Sequence, residues 1–319
     1  MKNTDAYLAY EHPLPDFIPP NEVVEQTATI TLPYGKTEVK SWFFDCITIN
    51  HNINHFNGKF HFEKQNPGRS VSLSFNLQGT YTIRQYGHTY QVKTGQHNLM
   101  HSNGYSNTFE NQELLGESFS IEWEPEAFFQ LAKDGNDTLK RFLEKMQKNE
   151  PVVLSPTSLF IHPDLERAIR TVLDCPYSGQ MKKLFLLSKC VEILVMQAEA
   201  YDQSFKKEKV YCRNDDDQER MLHARRIMEE NVENPPTLSE LAKMIGVNEY
   251  KLKRSFKELF GTTVFGYLSD FRLERAQREL LDTSKGIGEI AYALGYYSPQ
   301  HFANAFRKKF GIRPSDYRN

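Results

Sequence analysis

The stretch "SPQHFANAFRKKFG", Ser298 to Gly311, sets phenylalanine at every fourth position and fills the gaps with polar and basic residues. On an α-helix, residues four apart lie on one side. The spacing therefore predicts a short helix that buries Phe302, Phe306 and Phe310 and turns Gln300, Asn304, Arg307 and Lys308 outward. Ser298 is a good N-cap, and Pro299 fits the first helical position, where its missing N–H costs nothing. Gly311 ends the helix.

Working back along the chain, the pattern occurs twice. "LAKMIGVNEYKLKRSFKELFG" (Leu241 to Gly261) aligns with "IAYALGYYSPQHFANAFRKKFG" (Ile290 to Gly311), with one extra residue after the second copy's first glycine. Ala242 matches Ala291, Gly246 matches Gly295, and Leu252, Phe256 and Phe260 match Phe302, Phe306 and Phe310. Each copy reads as a short helix, a glycine turn and a second helix, which is the helix-turn-helix pattern. "TLSE" at Thr237 is a capping box for the first copy. Between the copies, "TTVFGYLSDFRLERAQRELLDT" reads as one amphipathic connecting helix with Val264, Leu268, Phe271 and Leu280 inward.

The outward faces carry the chemistry of a DNA major groove. Arginine bridges guanine O6 and N7, glutamine and asparagine bridge adenine, and lysine mostly neutralises phosphate. The first copy offers Tyr250, Lys253, Arg254 and Lys257, with Lys251 beside them; the second offers Gln300, His301, Asn304, Arg307 and Lys308. A single basic face is ordinarily just a solvated face. Two of them, each behind a glycine turn and a short amphipathic helix, point to DNA. A rigid connector would set two readers on successive groove segments about 34 Å apart. From Glu240 to Asn319 there are fourteen Lys/Arg against nine Asp/Glu, in a chain whose net charge is −2. The basic footprint is local, where the readers are.

The remaining sequence divides differently. From Thr27 to Trp123, runs such as "TATITL", "SVSLSFNL", "TYTIRQY" and "SFSIEW" alternate in the manner of strands, broken by "NPG", "QGT" and "YGH". Short strands at this spacing predict a sandwich or small barrel, cupin-like in outline. Helical periodicity follows in "PEAFFQLA", "DTLKRFLEKMQ" and "HPDLERAIRTVLDC", and then in a long helix near 180–205. There Leu184, Leu187, Val191 and Leu194 keep heptad spacing, which suits either packing on its own domain or a seam with a second copy. "KKEKVYCRNDDDQ" is charged and reads as a linker near 206–214. The expected class is α+β with several domains. Residues 1–205 form a β barrel with helices for sensing and dimerisation, and residues 215–319 an all-α domain with two helix-turn-helix units.

Composition excludes several alternatives. The N-terminus has no apolar signal core, and no run approaches the roughly 18 apolar residues of a spanning helix. The expected location is the cytoplasm, with Cys46, Cys175, Cys190 and Cys212 as widely spaced reduced thiols. Histidines are dense in the strand region: His51, His55, His61, His88, His97 and His101, with Glu63 nearby. They reproduce the spacing of a cupin metal site only in part, and no nucleophile motif or phosphate-cradling loop accompanies them. No metal, no cofactor and no catalysis are expected; a cupin-like metal enzyme with an accessory helical module is the alternative. A barrel interior could hold one small molecule. Trp42, Phe44, Phe75, Arg84, Tyr86 and Trp123 are candidates to line it, each also compatible with ordinary core.

"LSELAKMIGVNEYKLKRSFKELFG" and "GYYSPQHFANAFRKKFGIRPSDYR" resemble the AraC/XylS-type transcriptional regulators over about Arg220 to Arg318, roughly a third of the chain. The resemblance implies seven helices, two helix-turn-helix units on a linker helix, and bacterial transcriptional control. The partners it implies are double-stranded DNA, RNA polymerase and a second copy. Many members of that family carry arginine in the second reader where this chain has Asn304, so by the resemblance the second half-site is expected to differ or to be read weakly. Upstream, "CPYSGQMKKLFLLSKCVEILVMQAEAY" resembles the pyochelin-regulator subgroup, which implies a small-molecule effector of the ferric siderophore kind. A regulator whose barrel holds no ligand stays open beside it.

Overall fold

The computed structural model describes residues 6–7, 22–85, 88–155, 158–206, 211–212 and 215–318. The chain is α+β and divides into two compact units, Met1–Glu208 and Lys209–Asn319. Most of the segment expected as a linker, 206–214, lies outside the described residues.

The first unit is built on strands β1 (Ala6–Tyr7), β2 (Val24–Leu32), β3 (Gly35–Phe44), β4 (Ile47–Phe56), β5 (His61–Gln78), β6 (Tyr81–Gln85), β7 (His88–Val92), β8 (Gln96–Asn111), β9 (Leu115–Trp123), β10 (Val152–Val153) and β11 (Leu159–Phe160). Its helices are α1 (Pro125–Ala132), α2 (Asp137–Gln147), α3 (Pro163–Leu173) and α4 (Gly179–Lys206). The strands hydrogen-bond in the order β2-β3-β4-β9-β5-β8-β6-β7, with β1 beside β5 and both β10 and β11 beside β8. The end strands β2 and β7 do not pair with each other, so no closed barrel is found among the described residues.

Strand alternation explains how this unit is layered. One row across the sheet reads Lys40–His51–Phe119–Phe75–His97–Leu159. On this face Trp42, Phe44, Ile49, Leu73, Phe75, Phe119, Ile121 and Trp123 join Phe128, Phe142, Ile169, Leu186 and Ile193 from the helices in one core. The adjacent row, Ser41–Asn50–Ser120–Ser74–Asn98, points the other way and is small and polar throughout. There the Ser41 hydroxyl donates to Asn50 Oδ1 at 2.7 Å, and Asn50 Nδ2 and Ser120 Oγ both approach Glu122 Oε1 at 3.4 Å.

Polar ties fix the helices over the apolar face. Gln197 of α4 donates its amide to His97 Nδ1 at 2.8 Å and to the Asn98 carbonyl at 3.1 Å, while the Tyr201 hydroxyl donates to the His97 carbonyl at 2.7 Å. Burial pushes the His97 imidazole down to about 3, so it stays neutral in this packing. Glu117 accepts from Arg170 of α3 at 2.8 Å and meets His51 at 2.9 Å. Burial would raise its carboxyl, but the His51 bond and the Arg170 charge prevail and hold it at about 2.

The second unit contains seven helices among the described residues: α5 (Asp215–Glu230), α6 (Leu238–Met244), α7 (Glu249–Phe260), α8 (Val264–Asp282), α9 (Ile287–Ala293), α10 (Pro299–Phe310) and α11 (Pro314–Tyr317). Local chemistry sets their ends. Thr237 and Glu240 form the capping box at α6. Asn248 caps α7 through the Lys251 N–H, and Ser298 caps α10 through the His301 N–H. Gly261 and Gly311 terminate α7 and α10 at φ 73° and 77°, where a side chain would be strained. The core gathers Leu252, Phe256 and Phe260 of α7 with Phe302 and Phe306 of α10 around Val264, Leu268, Ala276 and Leu280 of α8. Phe310 packs against this core half-buried, in contact with Phe306 and Tyr317.

Candidate nucleic-acid interface

In each copy, burying the aromatic stripe fixes the opposite face outward. In α7, Leu252, Phe256 and Phe260 are fully buried, while Tyr250, Lys253, Arg254 and Lys257 are exposed. In α10, Phe302 and Phe306 are fully buried, while Gln300, His301, Asn304, Arg307 and Lys308 are exposed. The two helices are of equal length and in register, Tyr250 matching Gln300 and Arg254 matching Asn304.

Each reader is clamped to α8 by buried or half-buried polar groups. Behind the first, Arg225 of α5 pairs with Glu229 at 2.7 Å and lies 5.2 Å over the Tyr267 ring, whose hydroxyl donates to Glu229. Behind the second, the Lys309 ammonium meets Asp270 at 2.7 Å and Glu274 at 3.0 Å. Lys309 thus serves the scaffold, unlike its neighbours Arg307 and Lys308.

The surfaces differ in occupancy. Lys251 is only half-exposed and its ammonium lies 2.5 Å from Asp217 of α5, so it braces α7 rather than standing free for DNA. Lys253 is paired with Glu249 at 2.9 Å. Arg254 lies against two tyrosine rings, Tyr250 and Tyr211. Among the described residues, Gln300, Asn304, Arg307 and Lys308 make no side-chain hydrogen bond or ion pair. Two further aromatics, one half-buried and one exposed, extend these surfaces beyond the residues singled out from sequence. Tyr211 joins the first, and Tyr297, 92% exposed in the turn before α10, joins the second. The "GYYS" turn holds the only hint of the latter: Tyr296 packs edge-on to Phe302, which leaves its neighbour pointing away.

The effector and dimer candidates need correction. Trp42, Phe44, Phe75 and Trp123 lie in the continuous core between sheet and helices, so they are core residues. Arg84 is exposed on β6 and is withdrawn as a pocket residue; Tyr86 lies outside the described residues. The sequence reading missed the polar row of Ser41, Asn50, Ser74 and Ser120 on the opposite face, although serine alternates with apolar residues in "SVSLSF" and "SFSIEW". In α4, Leu194 is buried in its own unit and Leu187 packs half-buried against the same core. Leu184 is 60% exposed and Val191 half-exposed, so the outward stripe is Met181, Leu184, Val191 and Val195. The histidines take separate partners: His51 has Glu117, His61 has Glu110, His97 has Gln197 and His101 has the Ser70 carbonyl. No group of three metal-ligating side chains forms among the described residues.

Known families match both units of the chain. Residues 241–319 match the helix-turn-helix domain family, and residues 47–209, half of the chain, match the N-terminal domain of the regulatory protein PchR. The transcriptional regulator ArgR of Pseudomonas aeruginosa is 38% identical over 93 residues, 29% of this chain and 28% of ArgR. The regulatory protein PchR of the same organism is 35% identical over 119 residues, 36% of this chain and 39% of PchR. The chain thus spans well under half the length of these relatives. A solved AraC-type regulator from Chromobacterium violaceum is 36% identical, covering 33% of this chain and 94% of that one, with a TM-score of 0.31. These matches are regulators rather than enzymes, and the chain belongs to the AraC/XylS-type regulators with a PchR-type N-terminal domain.

Proposed function

We propose that this chain is a sequence-specific DNA-binding transcriptional regulator acting in the cytoplasm, with residues 1–205 sensing, 206–214 linking and 215–319 reading DNA. The observation that carries the reading is the duplicated arrangement of α7 and α10. Each buries an aromatic stripe and exposes a polar, basic face of the kind that reads base edges and phosphates. Tyr250, Lys253, Arg254 and Lys257 form the first contact set, and Gln300, His301, Asn304, Arg307 and Lys308 the second.

The sheet unit is read as a cupin-like sensor. Its small-molecule effector, a ferric siderophore as the first class to test, docks on the polar row around Asn50, Ser74 and Glu122 rather than in the apolar core. The outward stripe of α4, Met181, Leu184, Val191 and Val195, suits a second copy. RNA polymerase is the further partner such a regulator needs.

Genomic footprinting of the tagged chain, followed by binding assays on the recovered duplex, tests the reading. Protection of two adjacent major-groove segments about 34 Å apart is expected. A chain that protects no site, or whose site is bound equally well after Arg254→Ala and Arg307→Ala are combined, is not this kind of regulator.

A further inference from the structure

Arg254 is exposed on the outward face of α7, yet its guanidinium is not loose. Its central carbon lies 5.6 Å from the centroid of the Tyr250 ring and 5.9 Å from that of Tyr211. These separations lie within the cation–π range of about 6 Å. The two rings meet edge to face at 6.1 Å and 75°, with their hydroxyls 3.4 Å apart. Tyr250 is one helical turn before Arg254, so this half of the arrangement is local.

Tyr211 comes from outside the helix and is tied to it by its backbone. Its N–H donates to Glu258 Oε2 at 2.9 Å, and its carbonyl accepts from the Ser255 hydroxyl at 3.1 Å. Ser255 is fully buried, and the next residue, Cys212, is buried in the domain core. The Tyr211 backbone is therefore tied to α7 and to the core, which sets its ring against Tyr250 and Arg254. The second copy supplies an internal contrast: Gln300 stands where Tyr250 does and Asn304 where Arg254 does, so no such arrangement forms there.

We infer that Tyr211 is a specificity-determining positioning residue of the first reader, which with Tyr250 clamps the Arg254 guanidinium in one orientation before DNA arrives. The inference rests on α7 reading DNA, as proposed above. Bidentate pairing with guanine demands a defined plane from the guanidinium fork. A long arginine side chain otherwise has to lose rotamer freedom on binding. Contact with two mutually perpendicular rings removes part of that loss in advance and disfavours the orientations that suit other bases.

The test uses the full chain and the operator duplex recovered by footprinting, together with duplexes carrying every single-base change. Tyr211→Ala, Tyr211→Phe, Arg254→Ala and the Tyr211→Ala/Arg254→Ala pair are compared, with thermal melting as the check on folding. Tyr211→Ala is expected to lower discrimination about two- to fivefold, and only at the base position that Arg254→Ala relaxes. Tyr211→Phe keeps the ring and so keeps most of the discrimination. The double variant is no worse than Arg254→Ala alone. Equal weakening at all positions, or additive losses in the double variant, would make Tyr211 merely structural and overturn the clamp. So would Arg254→Ala relaxing a position that Tyr211→Ala leaves intact. If Arg254→Ala changes nothing, the placement of α7 on DNA falls, and the clamp with it.

Discussion

The two readers share an interior and differ in what they present. Phe256 and Phe306 occupy the same place in the two copies and are both fully buried, each beside a second aromatic of its own helix. Outside, α7 is already engaged: Lys251 with Asp217, Lys253 with Glu249, and Arg254 with two rings. The corresponding face of α10 makes no such contacts among the described residues. Internal repetition thus preserves the parts that must pack, because a core tolerates little change in volume, and frees the parts that must recognise. A pre-arranged face is suited to discriminate bases, whereas a loose one is suited to adapt to a second, less strictly defined half-site.

If the shared interior is equivalent, truncating it should hurt both copies alike. Phe306→Ala and Phe256→Ala should each destabilise the helical unit by about 3–5 kcal/mol through an internal cavity. Chemical denaturation of the full chain, followed by a probe in the second unit, measures this. A loss confined to one of the two variants would break the equivalence.

The glycine turns should separate the copies. Gly246 and Gly295 have φ of 68° and 72°, so alanine at either is strained by about 1–2 kcal/mol. Around Gly246 a Cβ would meet only the end of the Arg220 side chain at 3.2 Å. At Gly295 it would lie 2.3 Å from the Glu233 carbonyl oxygen and 2.4 Å from Arg272, whose guanidinium donates to the Val232 carbonyl at 2.6 Å. Gly295→Ala should therefore cost roughly 2–4 kcal/mol and Gly246→Ala no more than the strain alone. Melting temperatures that fall equally in both variants would show that the second turn is no more tightly enclosed than the first.

On DNA the order reverses, because the first reader is the one arranged in advance. Arg254→Ala should cost about 1–3 kcal/mol on the operator and relax one base position. Arg307→Ala should sit at the low end of that range and weaken related sequences more evenly. Lys257→Ala, facing phosphate, should weaken all sequences alike and flatten the salt dependence by about one unit. Binding across the single-base duplexes at several salt concentrations checks all three. A sharper loss of base preference from Arg307→Ala than from Arg254→Ala would invert the assignment of roles.

What the sequence made legible follows from the range of the interactions involved. The helical unit could be read because its signals are local: the Thr237 capping box, Ser298 with Pro299, the terminal glycines and the fourfold aromatic spacing all act within one or two turns. The strands were equally visible, but their order was not. Strand β9 lies between β4 and β5, a placement decided by contacts far apart in the chain. Large aromatics in strands announced burial without saying on which face, and Trp42, Phe75 and Trp123 fell beneath the helices. In α4 the heptad pattern merged two stripes. Leu194 turns inward and Val195 outward because neighbours on a helix diverge by about 100°. Tyr211 was lost in a segment whose charge reads as linker, and only its tertiary ties to Ser255 and Glu258 reveal it.

The smallest effect tests the engaged state of α7 most directly. Glu249 holds Lys253 at 2.9 Å, one turn apart and exposed, a geometry worth only about 0.3–0.5 kcal/mol. On meeting DNA the ammonium must exchange this carboxylate for phosphate, and the carboxylate itself is left near a polyanion. Glu249→Gln should therefore raise operator affinity about twofold at low salt, with the gain fading as salt screens the repulsion. The same substitution should leave base preferences untouched, since Lys253 and Glu249 bear on the backbone rather than on the Arg254 clamp. Titration at two ionic strengths is sufficient to measure it. An unchanged or reduced affinity would mean that Lys253 keeps its carboxylate partner on DNA, and that the first reader meets phosphate through Lys257 instead.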